Sequence, residues 1–196
     1  MAVAFTQEQR DEIQRKLIEA GFELSSTIGF KKMTIAKITE AAGVAIGSFY
    51  IFYDSKENFA KALIGEMEAR SMCKLTALLS NDGTITVKEF LDCYRDYYRP
   101  ENNFLLRIRL EDWIWLKSHI TDGTYFESGK DTDRITKILP CITGIRKDID
   151  IGIVINFIKA IYAIYQNRET FFEASLQKNV DLIFDTIYCY VREDTE

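Results

Sequence analysis

Apolar residues return every three or four positions along most of this chain. That is the spacing of one helical face, not the alternation of a strand. Ile13, Leu17, Ala20, Gly21 and Leu24 line one side of a helix predicted over 8–26, with Thr6 placed to cap it. Gly29, just after Ile28, is a natural left-handed stop. A short helix is expected from Thr34 to Ala41 or Ala42. Thr34 can cap it, but Lys37 three residues on cannot return the bond of a full capping box. Gly43 ends that helix, a second short one is expected over Ala45–Phe52, and a long one runs from Ser55 to about Leu79. Asn81-Asp82-Gly83 reads as a turn. Further helices are expected over 86–98, 103–119, 130–139, 146–167 and 170–192, with a loop from Ile120 to Lys130. No stretch alternates long enough for a sheet and no internal repeat is visible, so the expected fold class is all-α.

Composition narrows the function classes. The chain has 196 residues, 47% of them hydrophobic, which is enough for a packed core. Its net charge of -5 excludes a general polyanion binder, so any contact with nucleic acid must come from a local patch. The cysteines at 73, 93, 141 and 189 form no CxxC pair, and His119 has no cysteine near it in sequence. Neither a metal site nor a disulfide framework is expected, and no cofactor is called for. Ile151–Tyr165, the most apolar stretch, is too short to span a membrane. The first ten residues show no secretory signal, so the expected setting is cytoplasmic. Catalysis lacks a base held by an orienting partner, a Gly-rich phosphate loop or spaced metal ligands. The neighbouring acids Glu111-Asp112 and Asp148/Asp150 diverge on a helix surface. An enzyme is not expected.

The informative stretch is 33–52, MTIAKITEAAGVAIGSFYIF. Two short helices flank Gly43, where the chain must reverse with positive φ. Ile35, Ile38 and Ala42 give the first helix an inner face that Val44 and Phe49 complete. Between Lys31 and Lys56 stand four lysines (Lys31, Lys32, Lys37, Lys56) against two acids (Glu40, Asp54), a local excess of positive charge in an acidic chain. This layout fits a helix-turn-helix, whose second helix enters the major groove of DNA. It also fits a plain helical hairpin with solvated lysines.

The segment resembles the N-terminal domain of TetR-family (tetracycline-repressor-like) transcriptional regulators. The pieces that carry the resemblance are Ile28-Gly29-Phe30, Met33-Thr34-Ile35-Ala36-Lys37-Ile38, Ala41-Ala42-Gly43-Val44, Gly47-Ser48-Phe49-Tyr50, Phe52-Tyr53 and Ser55-Lys56-Glu57-Asn58-Phe59. It covers residues 8 to about 66. It implies a helix-turn-helix DNA-binding domain over 1–56 (motif 33–52) and a helical regulatory and dimerisation domain over 57–196. It also implies roles. Thr34 and Lys37 would contact phosphate. Ala45, Ile46, Gly47 and Ser48 would face base edges, with Gly47 allowing close approach. Tyr50 would reach phosphate through its hydroxyl, and Lys56 would contact phosphate or close off the domain. Phe49 and Tyr53 are expected in the core. The family usually has Ala where this chain has Thr39, which implies looser packing there. Ala45 and Ile46 stand where polar residues are common, so readout would lean on thymine methyls and DNA shape.

The resemblance implies that the remainder binds a small ligand and dimerises. Residues 146–167 carry two apolar stripes, one through Ile155, Ile158, Ile161 and Tyr165, the other through Ile153, Phe157, Ala160 and Ile164. The last helix carries Ile183, Ile187 and Tyr190 beside Phe184, Tyr188 and Val191. A helix apolar on two faces is buried twice, against its own core and against a partner, or lies at the centre of a monomer. The expected homodimer interface is Ile153, Phe157, Ile161, Ile164, Ile183, Ile187 and Tyr190. Two-fold pairing suits a palindromic double-stranded DNA operator with half-sites ~34–36 Å apart or a multiple of that. The centre is aromatic, including Trp113, Tyr125 and Phe126. Tyr94, Tyr98, Arg107, Glu111, Trp115 and Phe157 are the candidate lining for a mostly hydrophobic small-molecule inducer. The rival reading is a protein-interaction helical bundle without sequence-specific DNA binding.

Overall fold

The computed structural model describes residues 5–121 and 135–193. Helix α1 (Gln7–Thr27) opens with a full capping box: Gln9 N–H donates to the Thr6 hydroxyl, and Thr6 N–H donates to the Gln9 amide oxygen. It stops at Gly29, whose φ of 79° only glycine adopts cheaply. Helix α2 (Ile35–Ala42) is capped by Thr34 and ended by Gly43 at φ 65°. Helix α3 (Ile46–Phe49) has four residues, not the eight expected; Ile51, Phe52 and Tyr53 continue it only as turn-type bonds to Ser48 and Phe49 carbonyls. Helix α4 (Lys56–Asp82) follows, then α5 (Val87–Tyr97), α6 (Leu110–His119), α7 (Ile151–Gln166) and α8 (Leu176–Val191). Among the described residues a parallel pair of two-residue strands, β1 (Ile85–Thr86) and β2 (Ile142–Thr143), departs from helix. The fold class is all-α.

The chain divides into two compact units. One is Met1–Glu66 with Ile108–Thr121; the other is Met67–Arg107 with Asp122–Glu196. The expected boundary lies at 56/57, with 108–121 in the second domain, whereas these units divide at 66/67 and 108–121 joins the first.

In the first unit Leu17, Phe30, Ile38, Phe49, Phe59 and Leu63 are fully buried. The rings of Phe49, Tyr53 and Phe59 meet with centroids 5.0–5.5 Å apart. A Cβ on Gly21 would lie 2.7 Å from Phe59 and 2.8 Å from Leu63, so glycine lets α1 and α4 cross closely. The core of the second unit is built from Leu75, Phe90, Leu91, Leu106, Ile161, Val180, Phe184 and Ile187 among others.

Three helices expected from periodicity are shorter than their apolar pattern, and long-range bonds accompany two of the breaks. The 103–119 segment breaks because the buried Asn103 side chain accepts from Leu105 N–H and starts a single 3-10 turn (Phe104–Leu106). The Arg168 guanidinium takes up the Leu106 and Arg107 carbonyls that the break frees, at 3.3 and 3.0 Å. α7 starts only at Ile151, capped by Asp150, because Arg146 N–H is committed to Val191 and Ile145 bridges to Arg192. α8 starts at Leu176, after two 3-10 turns between which Phe172 stands 88% exposed. Of the expected 130–139 helix, residues 135–138 are helical and Leu139 opens a 3-10 turn; residues 130–134, most of the 120–130 loop, and Tyr125 and Phe126 lie outside the described residues.

Candidate nucleic-acid interface

α2 and α3 form a helix-turn-helix. Ile38 and Phe49 are wholly buried, and Ile35, Ala42 and Val44 are half-buried between the helices. Thr39 is buried too. Its hydroxyl donates to the Ile35 and Ala36 carbonyls, so the polar group expected to loosen this crossing is satisfied within its own helix. This packing fixes which residues face outward.

Thr34, Lys37, Ala45, Ile46, Gly47 and Tyr50 all lie on the exposed side, with Ile46 at 53% and Tyr50 at 55% exposure. The Lys37 ammonium folds back to the Lys32 carbonyl at 3.3 Å. Ser48, expected to read bases, is instead buried at 8% exposure. In a four-residue helix whose next residue, Phe49, anchors the core, Ser48 turns inward with it. The exposed residue that sequence reasoning missed is Ile51, 42% exposed, which lengthens the apolar edge begun by Ile46. Gly47 has open space where a Cβ would stand. Nothing inside the protein requires glycine there, although glycine within a helix costs ~1 kcal/mol relative to alanine.

Lys56, the first residue of α4, is drawn inward. Its ammonium lies 4.2 Å from the Trp115 ring centroid and 3.4 Å from the Lys31 carbonyl. Of the two roles expected for it, this geometry fits closing the domain. Burial lowers its pKa from the usual lysine value, partly offset by Glu57 and Asp112. A lysine over an indole face gains on the order of 1 kcal/mol.

Trp115 belongs to α6, which packs on the α1–α2 turn through a chain of contacts. Phe30 stacks on Trp115 at 6.3 Å and His119 at 4.4 Å. The carboxylate of Asp112, 2% exposed, accepts the Lys31 N–H at 2.8 Å. A Cβ on Gly29 would sit 2.1 Å from that same carboxylate. Glu111 pairs with the Lys31 ammonium at 3.5 Å. His119 is exposed at the α6 end, its ring nitrogen Nδ1 2.8 Å from the Trp115 carbonyl.

The six expected pocket residues are therefore divided. Glu111 and Trp115 serve the first unit, occupied by Lys31 and Lys56, whereas Tyr94, Tyr98, Arg107 and Phe157 belong to the second. Arg107 is exposed and Tyr98 buried. The second unit instead gathers a polar cluster around Tyr162, whose hydroxyl accepts from Asn103 at 3.3 Å and whose ring meets Tyr98 edge-on at 5.5 Å. Burial drives the Tyr97 and Tyr98 hydroxyls well above their ordinary pKa, keeping them as neutral donors. Asn103 was not singled out in sequence; an Asn beside an apolar run reads equally well as a cap.

The expected dimer residues also separate. Ile161 and Ile187 have no exposed surface and belong to the protomer's own core. Their stripe runs 3.6-fold inward, which a count of apolar positions cannot orient. Ile153 is 39% exposed, while Phe157, Ile164, Ile183 and Tyr190 are half-buried at the edge of that core. Tyr190 also accepts from Asp150 N–H at 3.0 Å. No described helix is long and apolar enough to cross a membrane, and among the described residues no three His, Cys, Asp or Glu side chains group as a metal site.

Residues 17–63 match the family model described as bacterial regulatory proteins, tetR family. No curated protein matches the chain in sequence. Solved structures of similar fold include one from Rhodococcus sp., assigned to the TetR-family transcriptional regulators, at 14% identity and TM-score 0.63, covering 92% of this chain and 98% of that one. CprB of S. coelicolor A3(2), a TetR family protein, matches at 14% identity and TM-score 0.55, over 95% of this chain and 92% of its own. The transcriptional regulator FadR from Bacillus subtilis, in complex with stearoyl-CoA, matches at 17% identity and TM-score 0.53, over 88% of this chain and 96% of its own.

Proposed function

We infer that this chain, whose residues 17–63 match the tetR-family model and whose fold is similar to that of TetR-family regulators along most of its length, is a DNA-binding transcriptional regulator and not an enzyme. It works as a homodimeric, ligand-released repressor in the cytoplasm. The observation that carries this reading is the outward rim of Thr34, Lys37, Ile46, Gly47 and Tyr50 around a helix-turn-helix whose core is closed. Thr34 and Tyr50 offer hydroxyls and Lys37 a charge to phosphate, while Ala45, Ile46 and the bare Gly47 present an apolar tip to the groove floor.

Pairing of two subunits through Ile153, Phe157, Ile164, Ile183 and Tyr190 supplies two such rims for a palindromic operator. A ligand that binds one arrangement of the dimer better than the other shifts it away from the half-site spacing and releases the DNA. The buried hydroxyls of Tyr98 and Tyr162 with the Asn103 amide suit the polar end of a mostly hydrophobic molecule. FadR in complex with stearoyl-CoA gives a precedent for an acyl ligand in this fold.

Binding to duplex DNA across a salt series tests the reading. Affinity should fall steeply with salt. Tyr50→Phe and Lys37→Ala should weaken all sequences about equally, and Ile46→Ala should change which sequence is preferred. The exposed apolar edge of Ile46 and Ile51 keeps a protein-binding bundle as the second reading. Salt-independent behaviour toward DNA, with none of these variants altering it, would favour that reading instead.

A further inference from the structure

We propose that α6 competes with DNA for two lysines of the reading unit: Glu111 and Trp115 hold Lys31 and Lys56 in a self-masked state that backbone phosphates must displace. The proposal rests on the reading of α2 and α3 as a DNA-binding surface.

The chain is acidic overall, and four lysines between 31 and 56 supply its local positive charge. Two of the four are engaged by one helix. Lys31, just before α2, has its ammonium 3.5 Å from Glu111. Lys56, which opens α4, lies over Trp115 and against the Lys31 carbonyl. Glu111 and Trp115 are four residues apart, so they project from the same side of α6. Asp112 between them fixes α6 at this station, because its carboxylate holds the Lys31 N–H in the space that a side chain on Gly29 would fill.

Both contacts are of an exchangeable kind. The Lys31–Glu111 pair is long and open to solvent, at 60% and 41% side-chain exposure. An ion pair of that kind is worth little beside a phosphate contact. Lys56 is only half-buried, its ammonium resting on the Trp115 ring and the Lys31 carbonyl. Lys32 and Lys37 remain on the exposed side. α6 therefore sets how much of the local positive charge a duplex meets on first contact. Any shift of α6 changes DNA affinity through charge, without altering the residues that read sequence.

The experiment is a salt titration of the full-length protein against random-sequence duplex DNA, with Glu111→Gln, Trp115→Leu, Lys31→Met and Lys56→Met made singly and in pairs. Each freed lysine should steepen the slope of log K against log salt by about 0.9. The affinity gained at 50 mM salt should then shrink by about threefold at 200 mM. Glu111→Gln should give no gain in a Lys31→Met background, which separates a specific release from mere loss of an acidic charge. Trp115→Leu should likewise give none in a Lys56→Met background. Lys88→Gln, which removes a lysine paired to Asp92 on α5, should leave the slope unchanged. If Trp115→Leu loses helicity by circular dichroism, the Glu111/Lys31 cycle, built on surface residues, decides alone. Tight, salt-dependent binding by the wild type with no gain in either variant, or a gain that survives removal of the lysine, would overturn the proposal. Failure of wild type and variants alike to bind any duplex would instead overturn the DNA-binding reading beneath it.

Discussion

Two glycines separate what the protein needs for itself from what it needs for a partner. Gly29 has φ 79° and faces the Asp112 carboxylate at 2.1 Å from where a Cβ would stand. Gly29→Ala is expected to cost at least ~1–2 kcal/mol from the left-handed backbone alone. Displacement of Asp112 from Lys31 N–H adds to this, and the sum is measurable as a lower urea midpoint. Gly47 is the opposite case: with open space beside it, Gly47→Ala should leave stability equal or raise it by up to ~1 kcal/mol. If its role is close approach to a groove, the same variant should bind DNA more weakly despite folding at least as well. A stable Gly47→Ala that binds DNA unimpaired would remove Gly47 from the interface. The sidedness of single residues here was the part least legible in sequence. Thr34, Lys37 and Tyr50 lie on the exposed side, as a contact with phosphate requires. Ser48, expected to face base edges, is buried. A helix of four residues has too little periodicity to declare a face, so Phe49 decides it through packing. The inward turn of Lys56 is toward Trp115, 59 residues on in the chain, which no local pattern can reveal.

The beginnings of α1 and α2 are legible from cap chemistry, whereas that of α7, capped by Asp150, is not. Thr6, Thr34 and Gly43 act at the ends where their local bonds place them, because the donor and acceptor are within three residues. Two ends that moved, at 110 and 151, are met by Arg168 and by Arg146 with Ile145 across long sequence separations, whereas the one at 176 follows local 3-10 turns. Thr86 shows that a box can also be missed: it caps α5, with Glu89 returning the bond at 3.0 Å. Thr86→Ala should lower stability by ~1 kcal/mol, read by chemical denaturation. The first turn of α4 makes a pH-dependent case. The Glu57 carboxylate is held below its ordinary value of 4.5, first by its own backbone N–H and then by the Ser55 hydroxyl. A carboxyl so depressed stabilises the fold above pH 4.5, and that contribution is lost as pH falls through its lowered folded value. Glu57→Gln should therefore unfold with a flatter pH dependence below 4.5 than wild type, the two profiles running parallel at neutral pH.

Assembly turns on which stripe of α7 looks outward. The apolar pattern announced two stripes but could not say which one the protomer would bury, since both repeat at helical spacing. The fold answers through burial: Ile155, Ile161 and Tyr165 close the protomer's core, leaving Ile153, Phe157 and Ile164 along the other side. An aspartate placed on either stripe is thus expected to fail in a different way. Ile161→Asp puts an unpaired carboxylate at a site with no exposure, and should cost several kcal/mol and abolish cooperative unfolding. On the proposed dimer, Phe157→Asp should leave far-ultraviolet circular dichroism intact while converting dimers to monomers in sedimentation velocity, because it would disturb contact with a second copy. The monomer so made should also lose most of its affinity for a two-half-site operator, since one rim in place of two forfeits the effective concentration that the first half-site gives the second. A Phe157→Asp protein that stays dimeric would move the interface off this stripe. One that turns monomeric yet binds DNA as tightly as before would detach dimerisation from operator recognition altogether.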